Sequence, residues 1–268
     1  MVVDPTGALK EIERRIADNE IDVNQGQSLL AHLSGPGSLD STFANLLLLG
    51  NVSAVESYLR EIIRKLINID KESRKACEKQ MLTFGAAKTH TPEMLPEALL
   101  ENYSFANKEN ISKALRELLG LKGQKSFSSS MEESLNEYEN VCHLRHCVVH
   151  RFGKLGVNNA IALGLEEHKH CIEKPLQLTF QTLQKISNLC MNVAKEINNY
   201  LWHKVITRLI MDSSNNRILT TTEWTWDFRA DKRRFGEYFN LFVSQEAPPV
   251  EVSIKKAYDE YRNFYKTH

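Results

Sequence analysis

The stretch Val141-Cys-His-Leu-Arg-His-Cys-Val-Val-His-Arg-Phe-Gly153 closes a segment whose helical reading decides the fold. Ser128, Ser129 and Ser130 offer hydroxyls that can accept from the free N–H groups of a first helical turn. Glu132 and Glu133 put negative charge where the helix dipole favours it. Gly153 takes left-handed backbone at no steric cost, which predicts the C-terminal cap there. At about 100° per residue, Met131, Leu135, Tyr138, Val141, Cys142, Val148, Val149 and Phe152 fall on one arc. That arc reads as the buried face. His143, His146 and His150 share the adjacent flank.

Arg145 falls in the middle of the apolar arc, and that placement demands an explanation. A guanidinium keeps its proton, and a buried ion without a partner costs several kcal/mol. Three arrangements would offset the cost: an internal carboxylate, a partner subunit, or a cleft that receives an anion such as phosphate.

Outward from this helix, all strong periodicity is helical. Toward the N-terminus, Lys108–Leu119 and Pro96–Asn102 read as helices, and Gly85–Pro96 as a loop or short turns. Leu39–Asp70 is a long helical stretch with an interruption expected near Gly50, and Lys71–Gln80 continues helical. Val52, Val55, Leu59, Ile62, Ile63, Leu66 and Ile67 mark the buried face of the long stretch. Glu56, at the edge of that face, is the best internal carboxylate for Arg145. Residues 7–18 and 23–33 predict an appended helical hairpin, ended by Gly35-Pro36-Gly37.

Toward the C-terminus, Gly153–Lys174 is the least regular part, with room for a short hairpin. Pro175–Met211 is one long amphipathic helix. Thr220-Thr-Thr222 with Trp224-Thr-Trp226 suggests a short strand or an aromatic-rich turn. Arg229–Phe242 and Val252–Tyr265 read as helices around Pro248-Pro249. The expected organisation is an N-terminal appendage (1–38), a helical domain (39–212) and a mostly helical extension (213–268).

Arg145-His146-Cys147-Val148-Val149-His150 resembles the motif of the HEPN superfamily: arginine, a polar residue, three further residues, then histidine, near the end of a long helix. The resemblance covers about residues 39–212. It implies a small all-α bundle, dimeric, with no metal and no cofactor. Many family members are endoribonucleases in toxin–antitoxin, abortive-infection and antiphage systems. Carried onto this sequence, Arg145 and His150 become the catalytic pair and His146 the polar residue that orients the site or contacts phosphate. Glu56 and His143 are expected in supporting places. RNA is the expected substrate, and an antitoxin or defence partner protein goes with such systems. Other family members are inactive dimerisation or partner-binding modules, which is the competing expectation.

The residue types suit the chemistry. Cleaving RNA without a metal needs a group that takes the 2′-hydroxyl proton, one that protonates the leaving 5′-oxygen, and positive charge on the phosphorane. The products would be a 2′,3′-cyclic phosphate and a 5′-hydroxyl end. Residues five apart on a straight helix point about 140° away from each other. Arg145 and His150 of one copy therefore converge poorly, and two copies across a two-fold axis would bring both pairs to one cleft.

Composition bounds the alternatives. Lys+Arg and Asp+Glu are both 34, so a broad positive field for sequence-indifferent duplex binding is missing. Cys77, Cys142, Cys147, Cys171 and Cys190 are an odd set with no CxxC pair. Together with the lack of a secretory leader, they predict reduced thiols and a cytoplasmic protein. The longest apolar run, Leu46–Leu49, is far too short to span a bilayer. A zinc site from His143, His146 and His150, or from His168, His170 and Cys171, is a weaker reading, since no CxxC or HExxH accompanies them.

Overall fold

The computed structural model describes residues 41–121, 127–212, 217–218, 224–243 and 252–266. The expected hairpin at residues 7–33, the break at 35–37, Thr220–Thr222 and Pro248-Pro249 lie outside the described residues. Among the described residues the fold is all-α, with ten α-helices and one pair of two-residue strands. The helices are α1 (Ser41–Ile69), α2 (Lys71–Cys77), α3 (Phe84–Thr89), α4 (Leu95–Leu100), α5 (Lys108–Leu119), α6 (Ser129–Arg151), α7 (Val157–His168), α8 (Phe180–Ile210), α9 (Phe228–Phe242) and α10 (Ile254–Lys266). The strands β1 (Met211–Asp212) and β2 (Arg217–Ile218) pair antiparallel, with Met211 opposite Ile218.

The described chain divides into two compact units. One takes in residues 41–61, 101–114 and 127–195, and the other 62–100, 115–121 and the described residues beyond 195. In the first, Ala44, Leu48, Val52, Val55 and Leu59 of α1 are buried, as are Met131, Leu135, Tyr138, Val141 and Cys142 of α6 and Leu183, Ile186, Cys190 and Val193 of α8. In the second, an aromatic core gathers around Trp202, whose ring meets Phe235, Phe239, Phe242 and Tyr261 edge-on.

Four expectations require correction. The interruption at Gly50 does not occur; α1 runs unbroken through it. A glycine inside a helix costs about 1 kcal/mol, whereas full burial of Leu48 and Val52 on either side contributes about 1.5–3 kcal/mol each. The segment 85–96, read as a loop or short turns, does hold a 3-10 turn at Pro92–Met94, but its first part belongs to the helix α3, which Thr83 caps by accepting from the Ala86 N–H (3.3 Å). These pieces are too short to show a period.

Gly153–Lys174 is largely helical, with α7 kinked at Gly164 (φ 107°) and a 3-10 turn at Lys169–Cys171. What remains of a hairpin is one antiparallel bridge between Lys154 and Pro175. There the Leu155 N–H donates to the Lys174 carbonyl at 3.0 Å. That bridge holds Pro175 outside the last long helix. α8 starts only after Thr179, whose hydroxyl accepts from the Thr182 N–H at 3.1 Å.

Candidate functional site

Helix α6 carries the motif and begins where its serines predict. The Ser128 hydroxyl accepts from the Met131 N–H at 3.1 Å. Its end departs from expectation. Phe152 itself takes the left-handed conformation (φ 53°, ψ 39°), and its N–H reaches the Cys147 carbonyl. Gly153 follows, also at positive φ (79°), with its N–H on the same carbonyl at 3.1 Å.

This ending moves the buried face. Phe152 is 98% exposed and Val149 48% exposed, although both lie on the arc read as buried. Cys147 is fully buried in their place. It packs with Leu155 and Ala160, and Leu163, Cys171, Ile172 and Leu176 close around them. The physical cause is the fold-back of α7, which covers the Cys147 side of the last turn and leaves the other side bare. Ion pairing of Arg151 with Glu173 fastens the same corner. Gly156 lets the arginine pass, because a Cβ there would stand 2.9 Å from Arg151 Cδ.

Arg145 does not sit inside the core. Its side chain is 33% exposed and its guanidinium lies 3.8 Å from the carboxylate of Glu56, itself 23% exposed. Such a pair is an edge contact that stays open to solvent. Behind it the Cys142 thiol is pushed up to about 12, chiefly by burial. It is therefore protonated and inert at neutral pH.

His146 and His150, one turn apart, are both exposed, and their ring centroids are 4.5 Å apart at 46°. His143 stands apart from them. Its Nδ1 lies 3.2 Å from Oδ1 of Asn159, a buried residue on α7. An amide oxygen only accepts, so Nδ1 is the donor in this contact. The His146 imidazole is held below the usual histidine range, first by partial desolvation and then by the charges of His150, His143 and Arg145. The four groups are thus within electrostatic reach of one another.

Comparison with protein-family models, with curated proteins and with solved structures yields no match.

The geometry therefore speaks alone. The structure brings His146 to His150 and Arg145 to Glu56. It does not bring Arg145 and His150 of one chain together as a pair. Asn159 is the residue that sequence reading missed. Its only signal was the Asn158-Asn159 doublet in a segment read as irregular. Among the described residues no group of three or more His, Cys, Asp or Glu side chains gathers as a metal cage. His168, one member of the alternative zinc set, has its Nδ1 2.9 Å from the Gly164 carbonyl instead. A guanidinium and three imidazoles at one helix end, with Glu56 as the neighbouring carboxylate, suit an anion such as phosphate.

Among the described residues no helix is long and apolar enough to cross a membrane.

Proposed function

We propose that this chain is a HEPN-like endoribonuclease that works without a metal and acts as a homodimer in a toxin–antitoxin, abortive-infection or antiphage setting. The carrying observation is the accessible cluster of a guanidinium and two imidazoles toward the end of α6: Arg145 partly exposed, and His146 and His150 exposed and in contact. Arg145 holds the scissile phosphate. His150 moves the proton of the attacking 2′-hydroxyl, and His146 sets its charge and orientation. The angular separation of Arg145 and His150 on the helix calls for a second copy to complete the site. The bare apolar groups Val149 and Phe152, next to the motif, supply a surface for that copy.

An RNA cleavage assay with chelator present tests the reading. Wild-type protein is expected to leave 2′,3′-cyclic phosphate and 5′-hydroxyl ends, and both Arg145→Ala and His150→Ala proteins to lose cleavage. Wild-type rates in the His150→Ala protein would overturn it.

The ion pair between Arg145 and Glu56 favours a second reading, in which the helix end is a dimerisation or partner-binding surface with no chemistry. That reading expects a stable dimer and no cleavage by the wild-type protein under any condition.

A further inference from the structure

We infer that His146 and His150 together form a chelating site for a borderline divalent cation of the zinc, nickel and copper class. Histidines four apart on a helix project from one face, and a metal ion can bridge their ring nitrogens at about 2.0–2.1 Å each. Here the two rings already lie side by side, with centroids 4.5 Å apart. Both are exposed, so an ion reaches them without opening the fold, and water completes its shell. The ring contact joins His146 to His150, whereas the His143 ring on the preceding turn lies against Asn159 of α7, its Nδ1 3.2 Å from Oδ1.

The chemistry of the donors selects the ion. Two imidazoles with no carboxylate on the same turn suit zinc, nickel and copper and give calcium or magnesium little to hold. A metal needs each ring's lone pair, hence the neutral form.

Binding itself is independent of the nuclease reading. A consequence for activity does rest on it: an ion bound to His150 occupies the lone pair that accepts the 2′-hydroxyl proton, so zinc suppresses cleavage and a chelator restores it.

Equilibrium dialysis of untagged full-length protein against zinc chloride, with nickel as a second probe, tests the inference. Wild type is expected to bind, and His146→Ala and His150→Ala each to weaken binding by at least about 10-fold, since each loses a direct ligand and losing only an outer partner already costs that much. His143→Ala, on the same flank, is expected to bind as wild type does. Circular dichroism checks that each variant folds, and the exposure of both rings makes unfolding unexpected. Equal zinc affinity in wild type, His146→Ala and His150→Ala would overturn the site. Cleavage measured on the same samples separates the two ideas. Zinc binding by protein that fails to cleave RNA once a chelator has removed the metal sinks the nuclease reading alone, and cleavage by protein that binds no zinc sinks the chelate alone.

Discussion

The Arg145 guanidinium and the Glu56 carboxylate stand 3.8 Å apart at a half-open edge, not in a sealed core. Distance and exposure both matter. An ion pair that water reaches is worth about 0–1 kcal/mol, whereas breaking a sealed one costs about 3–5 kcal/mol. Arg145 is thus restrained by Glu56 while its side chain stays open to solvent.

Glu56→Gln is therefore expected to cost less than about 1 kcal/mol in urea unfolding. RNA should bind this variant more tightly, since the competing carboxylate is gone. A loss of several kcal/mol together with weaker RNA binding would recast the pair as structural.

For His150→Ala, stability and activity are expected to part. The ring is exposed, so the unfolding midpoint should stay within about 0.5 kcal/mol of wild type. The cleavage rate should fall by about 10²–10⁴, the usual contribution of a positioned proton-transfer group. Single-turnover cleavage and a denaturant titration on one preparation provide both numbers.

His146 should titrate below the ordinary histidine value of about 6.5 in an NMR pH series. Desolvation lowers it most, and His150 next, so His150→Ala is expected to move the His146 midpoint upward without restoring it fully. The consequence for stability follows from proton binding. The unfolded chain takes this proton at higher pH than the folded chain does. Stability is then fully present above the unfolded midpoint and declines as pH falls through the window below it. A His146 midpoint at or above that of a free histidine would contradict the described cluster.

Phe152 bears a left-handed backbone and nearly complete exposure, a costly combination for a bulky side chain. Phe152→Gly should stabilise the isolated chain by roughly 1 kcal/mol, because glycine adopts this conformation freely. If the bare side of α6 receives a second copy, the same change should shift sedimentation toward monomer. Destabilisation without any change in assembly would argue against both statements.

The opposite kind of ion pair lies in the other unit. Arg208 binds the Asp70 carboxylate, the Ser73 hydroxyl at 2.7 Å and the Leu119 carbonyl at 2.5 Å. Asp70 also caps α2 by accepting from the Ser73 N–H at 2.7 Å, and Tyr238 donates to it at 3.3 Å. Arg208→Ala would leave a carboxylate that is only 3% exposed as a residue without its cation. An unfolding cost of about 3–5 kcal/mol is expected. A cost near that of Glu56→Gln would show that burial does not separate the two pairs.

By itself the sequence determined where most of the helices lie. Apolar residues at helical spacing fix α1, α5, α6, α9 and α10 to within a few residues, because that periodicity is written locally along the chain. Capping was equally local, as Ser128 shows. The motif's residues and their helical register were legible for the same reason. Tertiary structure alone decided which side of the last turn of α6 is covered. Val149, Phe152 and Cys147 are all apolar, so the sequence pattern cannot rank them. The choice falls to α7, which a bridge between Lys154 and Pro175 folds back onto Cys147. The same holds for the contact of Asn159 with His143 and for the joining of Arg208 to Asp70 across 138 positions. Each is a pairing of polar groups distant in sequence, and no local period encodes which two will meet.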